Sequence, residues 1–156
     1  MTDEALLREA IRLAASHSAD GRNGPFGSVV AREGEIVGMG WNQVVESRDP
    51  TAHAEIIAIR AACRRLGTHA LSECTIYCSC EPCPMCLSAI YWARIPRVVF
   101  AATQEEARAA GFADVDIRGQ LELGWPERSV ECVQMSVDGG SEVLRNWQRN
   151  PDRLVY

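Results

Sequence analysis

The strongest constraint on this chain is a pair of short motifs, His53-Ala54-Glu55 and, further along, Pro82-Cys83-Pro84-Met85-Cys86. Between them they offer three metal ligands and one carboxylate left over. A zinc ion held by His53, Cys83 and Cys86 has three protein ligands and keeps a fourth position for water, the arrangement of a catalytic rather than a structural site. Bringing the motifs together requires two helix starts to meet at one point. Ala52 to Leu66 reads as a helix with His53 and Glu55 in its first turn. Pro82 suits the first position of a second helix, whose opening turn carries Cys83 and Cys86 on one face. The partial positive charge of two helix N-termini favours thiolate at the metal.

A closed site is the structural rival, because Cys80, Cys83 and Cys86 are equally spaced and with His53 make a Cys3His set. Pro82 argues against it. A proline that starts a helix leaves the residues before it extended, and so leaves Cys80 at the end of a strand.

At 156 residues the chain is expected to form a single domain, 1–156, with a real hydrophobic core. Sixteen basic against 21 acidic residues give a net charge of −5, so no global field draws it to nucleic acid. Every basic residue is arginine, which excludes a P-loop lysine, a Schiff base and an ammonium general base. Metal chemistry is then the leading enzymatic option. The seven cysteines are an odd number, no secretory segment precedes them, and Cys83 and Cys86 are committed to metal. This predicts a reducing, cytoplasmic location with the other five as thiols. No apolar run approaches the roughly 18 residues of a membrane span.

Apolar residues recur at helical spacing from Asp3 to Ala19, with Thr2 or Asp3 as the cap. Gly27–Arg32 and Glu35–Trp41 flank Glu33-Gly34 and read as a hairpin. Strands are expected at Thr75–Ser79, Arg97–Ala101 and Ser129–Val137, and helices at Cys83–Arg94, Gln104–Ala110 and Gly140–Asn150. Alternating strand and helix around the metal motif implies parallel pairing, hence a five-stranded mixed sheet between helices in a three-layer α/β/α fold.

Zinc lowers the pKa of water bound to it to about 7, which allows attack on an electron-poor ring carbon bearing an amine. Glu55 is placed to move a proton from that water to the ring and to help ammonia leave. The plainer role for a glutamate in a first helical turn is as a dipole partner. Asn42 follows a strand and is either a turn residue or an amide for the edge of a heterocycle. Phe26 either stacks on a planar base or packs beneath its turn. Trp92 is either core or pocket wall, and Asp114 shares its loop with a rival acid, Asp116.

These residues match the H-x-E…P-C-x-x-C signature of nucleobase deaminases. The chain resembles the cytidine-deaminase-like superfamily and, within it, the bacterial guanine deaminases. The likeness runs through Gly24-Pro25-Phe26-Gly27, Asp49 to Glu55, Ser79 to Cys86, Ala89 to Arg94, Ala110-Gly111-Phe112 and Tyr156. The tRNA adenosine deaminases share the zinc motifs, so the choice rests on Ala89 to Arg94, the Ala-Gly-Phe loop with Asp114, and the terminal tyrosine. The resemblance implies conversion of guanine to xanthine and ammonia on Zn2+, with Asp114 a second proton carrier beside Glu55. Asn42, Phe26, Ala54, Trp92 and Tyr156 would contact the substrate. It also implies a homodimer in which the tail, about 150–156, crosses so that Tyr156 caps the partner's site. Arg48 and the stretch from Ala113 to Arg128 depart from that family, which keeps guanosine, a triazine or another amino-heterocycle open as the substrate. A tRNA adenosine is the runner-up, to which a chain of net −5 is poorly suited. The non-enzymatic rival is a zinc-stabilised interaction module in which Glu55 has no part.

Overall fold

Leu6, Ala10, Leu13 and Ala14 recur at helical spacing, and in the computed structural model they form the buried face of helix α1, Asp3–Ser18. Thr2 caps it, its side chain accepting from the Ala5 N–H at 3.3 Å. The structure describes residues 1–112 and 116–155, and the chain divides into two compact units, Met1–Asp116 and Ile117–Tyr156.

In the first unit, strands β1 (Gly27–Arg32) and β2 (Glu35–Trp41) form the predicted hairpin. Glu33 and Gly34 both take positive φ at its turn, as a two-residue connection matched to strand twist requires. The loop that follows holds a short helix, α2 (Val44–Ser47), too brief to show a helical period in the sequence. Then come α3 (Ala54–Leu66), β3 (Cys74–Cys80), α4 (Pro84–Trp92), β4 (Arg97–Ala102) and α5 (Gln104–Ala109). The sheet runs β2-β1-β3-β4, with β1 antiparallel to both neighbours and β3 parallel to β4.

Alternation along the central strands separates two cores. Val29, Ala31 and Tyr77 pack with Leu6, Ala10 and Leu13 of α1, whereas Val30, Ile76 and Cys78 pack with Ala58, Ile59 and Ala62 of α3 and Ile90 of α4. Helices therefore cover both faces, and the three-layer mixed architecture is as predicted. The helix α3 lies unusually close to β2. A β-carbon on Gly40 would overlap the Ala54 carbonyl and lie 2.7 Å from Ala58 N, and one on Gly38 would overlap the Ala58 carbonyl and lie 2.7 Å from Ala62 N. Only glycine opposite this row of alanines permits that approach.

The second unit contains α6 (Ile117–Glu122), a single 3₁₀ turn (Trp125–Glu127) and α7 (Glu142–Arg149). The expected fifth strand is absent among the described residues, so the sheet has four strands rather than five. Ser129–Val137 has the apolar content of a strand, but Val130, Val133, Met135 and Val137 are all exposed. Strand propensity alone does not fix a strand without a partner's ladder and a surface to pack on. No helix among the described residues is long and apolar enough to cross a membrane.

Candidate active site

Loop geometry delivers His53 to the sheet's end. The Asp49 carboxylate accepts from both Thr51 N–H and its hydroxyl, at 2.8 and 2.7 Å, while Gln43 N–H donates to the Ala52 carbonyl at 2.9 Å. These bonds tie the segment after Asn42 to the start of α3. His53 is the N-cap of that helix rather than a first-turn residue. The second helix is offset in the same way: Cys83 is its N-cap and Pro84, not Pro82, takes the first position. Both prolines fit a helix start by their missing N–H, and Pro84 satisfies that rule just as well. The His53 ring makes no bond to its own helix, whereas the Cys83 sulfur accepts from Cys86 in the first turn of α4. An N-cap usually spends its side chain on an orphan N–H; the His53 ring is left for another partner.

The partner is legible in the spacing. His53 Nδ1 lies 3.6 Å from Cys83 Sγ and 3.5 Å from Cys86 Sγ, and the three atoms all fall within 4.8 Å of one another. Zinc bond lengths and a tetrahedral angle place such N and S ligands about 3.6 Å apart. One imidazole and two thiols are also the right donor types, so the residues fit the ion. Cys80 is not in the cluster; its thiol donates to the Thr103 carbonyl at 3.4 Å, which removes the closed Cys3His reading.

Charge in the site points the same way. The Cys86 thiol donates to Cys83, and with His53 beside it this holds the Cys83 thiol down at about 4. Cys86 is pushed up, because it is the donor in that bond and is buried. Hydrogen bonding to Cys83 raises His53 in turn. The two sulfurs thus keep one proton between them, which a dication would displace. Glu55 is buried, 7% exposed, and burial pushes its carboxyl up. It lies beside Cys86 but outside the ligand cluster, so its carboxyl remains available to carry a proton.

The other predicted residues are placed unevenly. Asn42 is buried; its N–H donates to the Phe26 carbonyl at 3.0 Å, and its Oδ1 accepts from Val44 N–H at 3.3 Å. The turn role is therefore present, and of the carboxamide it uses the oxygen. Phe26 meets Phe112 edge-on, with ring centroids 4.9 Å apart. No local sequence signal marks that contact, since Phe112 enters only through the Ala-Gly-Phe motif. Ala54 is buried between ligand and acid, where α3 meets β2. Trp92 ends α4 and is 70% exposed. Arg48 caps α2 in the left-handed region, φ 54°, unusual for a residue other than glycine. Asp114 and Tyr156 lie outside the described residues.

Comparison with known proteins agrees with this geometry. Residues 1–102 match the cytidine and deoxycytidylate deaminase zinc-binding region. Guanine deaminase of Bacillus subtilis strain 168 is 41% identical over 156 residues, all of both chains, and its X-ray structure superposes with a TM-score of 0.96 over 100% of this chain and 99% of that one. The guanine deaminase structure from Nitrosomonas europaea is 34% identical, with a TM-score of 0.65 over 70% of this chain and 63% of its own. A tRNA-specific adenosine deaminase of Aquifex aeolicus is 42% identical, but over 106 residues, 68% of this chain and 70% of that one. With its zinc ligands, its buried acid and a match that runs the full length, the chain belongs to the cytidine and deoxycytidylate deaminase zinc-binding family, among its guanine deaminases.

Proposed function

We propose that this protein hydrolyses guanine to xanthine and ammonia, and the observation that carries the proposal is the extent of the likeness. Two tRNA-specific adenosine deaminases match over 68% and 85% of the chain, whereas the guanine deaminase match runs over all of it. Zinc bound to His53, Cys83 and Cys86 would make water a nucleophile at neutral pH. Glu55, beside that centre, would carry a proton to the ring nitrogen next to the amine-bearing carbon and assist departure of the amine as ammonia. Burial suits it to this work, since it pushes the carboxyl's pKa up and so makes the group a better proton acceptor. Asn42 and Phe26 supply an amide and a ring for the purine, with Ala54 and Trp92 completing its contacts. Asp114 is the second proton carrier.

The assembly we infer is a homodimer in which the tail from about residue 150 crosses to the other copy and Tyr156 caps that copy's site. Support comes from the second unit, where Trp125, Val130, Val133, Val143, Leu144, Leu154 and Val155 are all more than half exposed. So much apolar surface is costly in water. Each 156-residue chain then supplies one deaminase domain. Seven cysteines without a disulfide fit a reducing cytoplasm.

Ammonia released from guanine, guanosine, adenine, cytosine, cytidine and a tRNA adenosine stem-loop tests the substrate. Release from guanine is expected; turnover of another member with guanine inert would reassign the pocket while leaving the zinc chemistry. Sedimentation tests the assembly: a fully active monomer would end the exchange model.

A further inference from the structure

The peptide that enters Cys83 presents the Pro82 carbonyl beside a metal ligand, and whatever holds that carbonyl fixes the plane of the peptide. Gln104, the first residue of α5, donates its side-chain N–H to that carbonyl at 3.0 Å. Its backbone N–H donates to Glu81 Oε2 at 3.1 Å. These two bonds prolong the β3–β4 pairing beyond its last rung, where Cys80 faces Ala102 and Glu81 N–H donates to the Ala102 carbonyl at 2.8 Å. The helix start that presents Gln104 is itself fixed by a capping box between Thr103 and Glu106. A rigid donor therefore stands on the backbone carbonyl next to a metal ligand.

We propose that Gln104 is a positioning residue for the metal centre, holding the Pro82–Cys83 peptide so that Cys83 Sγ keeps its place opposite His53. Rotation of that peptide plane would swing the Cys83 Cβ–Sγ bond away from a spacing that already matches tetrahedral zinc. Outer partners of this kind fix the direction of a ligand that the ion alone would leave free to turn. The amide is also electrically neutral; a carboxylate in its place would set oxygen against oxygen and add negative charge behind a thiolate. The inference rests on the zinc reading above and deepens it by naming what orients one ligand.

The test uses the reduced, full-length protein and two variants, Gln104→Glu, of equal size but without the donor, and Gln104→Ala. Zinc affinity is measured by competition with a chromogenic chelator, and the cobalt(II) form by its visible absorption bands, which respond to ligand angle and not to fold stability. Zinc affinity is expected to fall about 10-fold to 100-fold in both variants, with altered cobalt bands. Should Gln104→Glu fail to fold, Gln104→Ala gives the same reading. Parent-like zinc affinity and cobalt bands in the folded variants would overturn the proposal. A parent protein that binds neither ion would instead overturn the zinc reading itself.

Discussion

The phenol of Tyr77, in the middle of β3, donates to the Asp3 carboxylate at 2.6 Å across 74 residues of chain. Arg97 of β4 grips the same carboxylate through both oxygens, at 3.1 and 2.6 Å. One acid thereby ties the start of α1 to two strands of the sheet. The Arg97 guanidinium, then Tyr77, hold its pKa down at about 2.

Stability should therefore depend on pH in a defined direction. A carboxylate whose pKa is depressed on folding contributes stability that is complete above its unfolded value, near 3.8, and is lost as pH falls through about 2. Asp3→Asn is expected to melt below the parent at pH 6, and the two should converge as pH drops from about 4 to about 2. The groups are exposed enough for salt to weaken the effect. A gap that did not change with pH would assign the loss to helix capping or packing instead.

Glu55→Gln keeps size and burial but cannot carry a proton between water and ring. Turnover should fall by about 10²-fold to 10⁴-fold, the range for a positioned general acid–base group. Bound zinc, measured by elemental analysis, should stay equimolar with the chain, because Glu55 is outside the ligand cluster. Parent-like turnover would remove Glu55 from the mechanism and revive the reading of zinc as a purely structural ion.

Gly40→Ala tests the seam between β2 and α3. The new methyl would meet backbone atoms of Ala54 and Ala58, which cannot rotate aside, so α3 must move. Overpacking of this kind costs about 1–3 kcal/mol, and a melting temperature lower by several degrees is expected. Since His53 begins α3, zinc affinity should weaken as well; an unchanged melting curve would mean that helix and sheet part more easily than their spacing suggests.

The site is legible in the sequence because its ligands fall in two compact motifs and their chemistry is written in their types. His53, Cys83, Cys86 and Glu55 need only the rule that a three-ligand zinc site leaves room for water. The fold is legible through alternation: Val29 and Val30 fall into different cores, as a period of two requires. Helix starts slip by one or two residues because Pro82 and Pro84 obey the same local rule, and only the folded chain chooses between them. Ser129–Val137 fails for another reason: a strand is a relation between segments, and composition records just one of them. The seam of Gly38 and Gly40 against Ala54, Ala58 and Ala62 is invisible in the sequence because small residues carry no periodic apolar signal.

Both His53 and Cys83 are N-caps, 30 residues apart in the chain, and an ion that joins them closes a covalent-like loop around β3. Such a cross-link restricts the unfolded chain much as a disulfide does, and the chain-entropy relation for a loop of that size gives about 3–4 kcal/mol. Chelation should then lower the melting temperature as well as stop turnover. Zinc supply would set how much of this protein survives proteolysis, so a shortage would thin the population and not merely idle it.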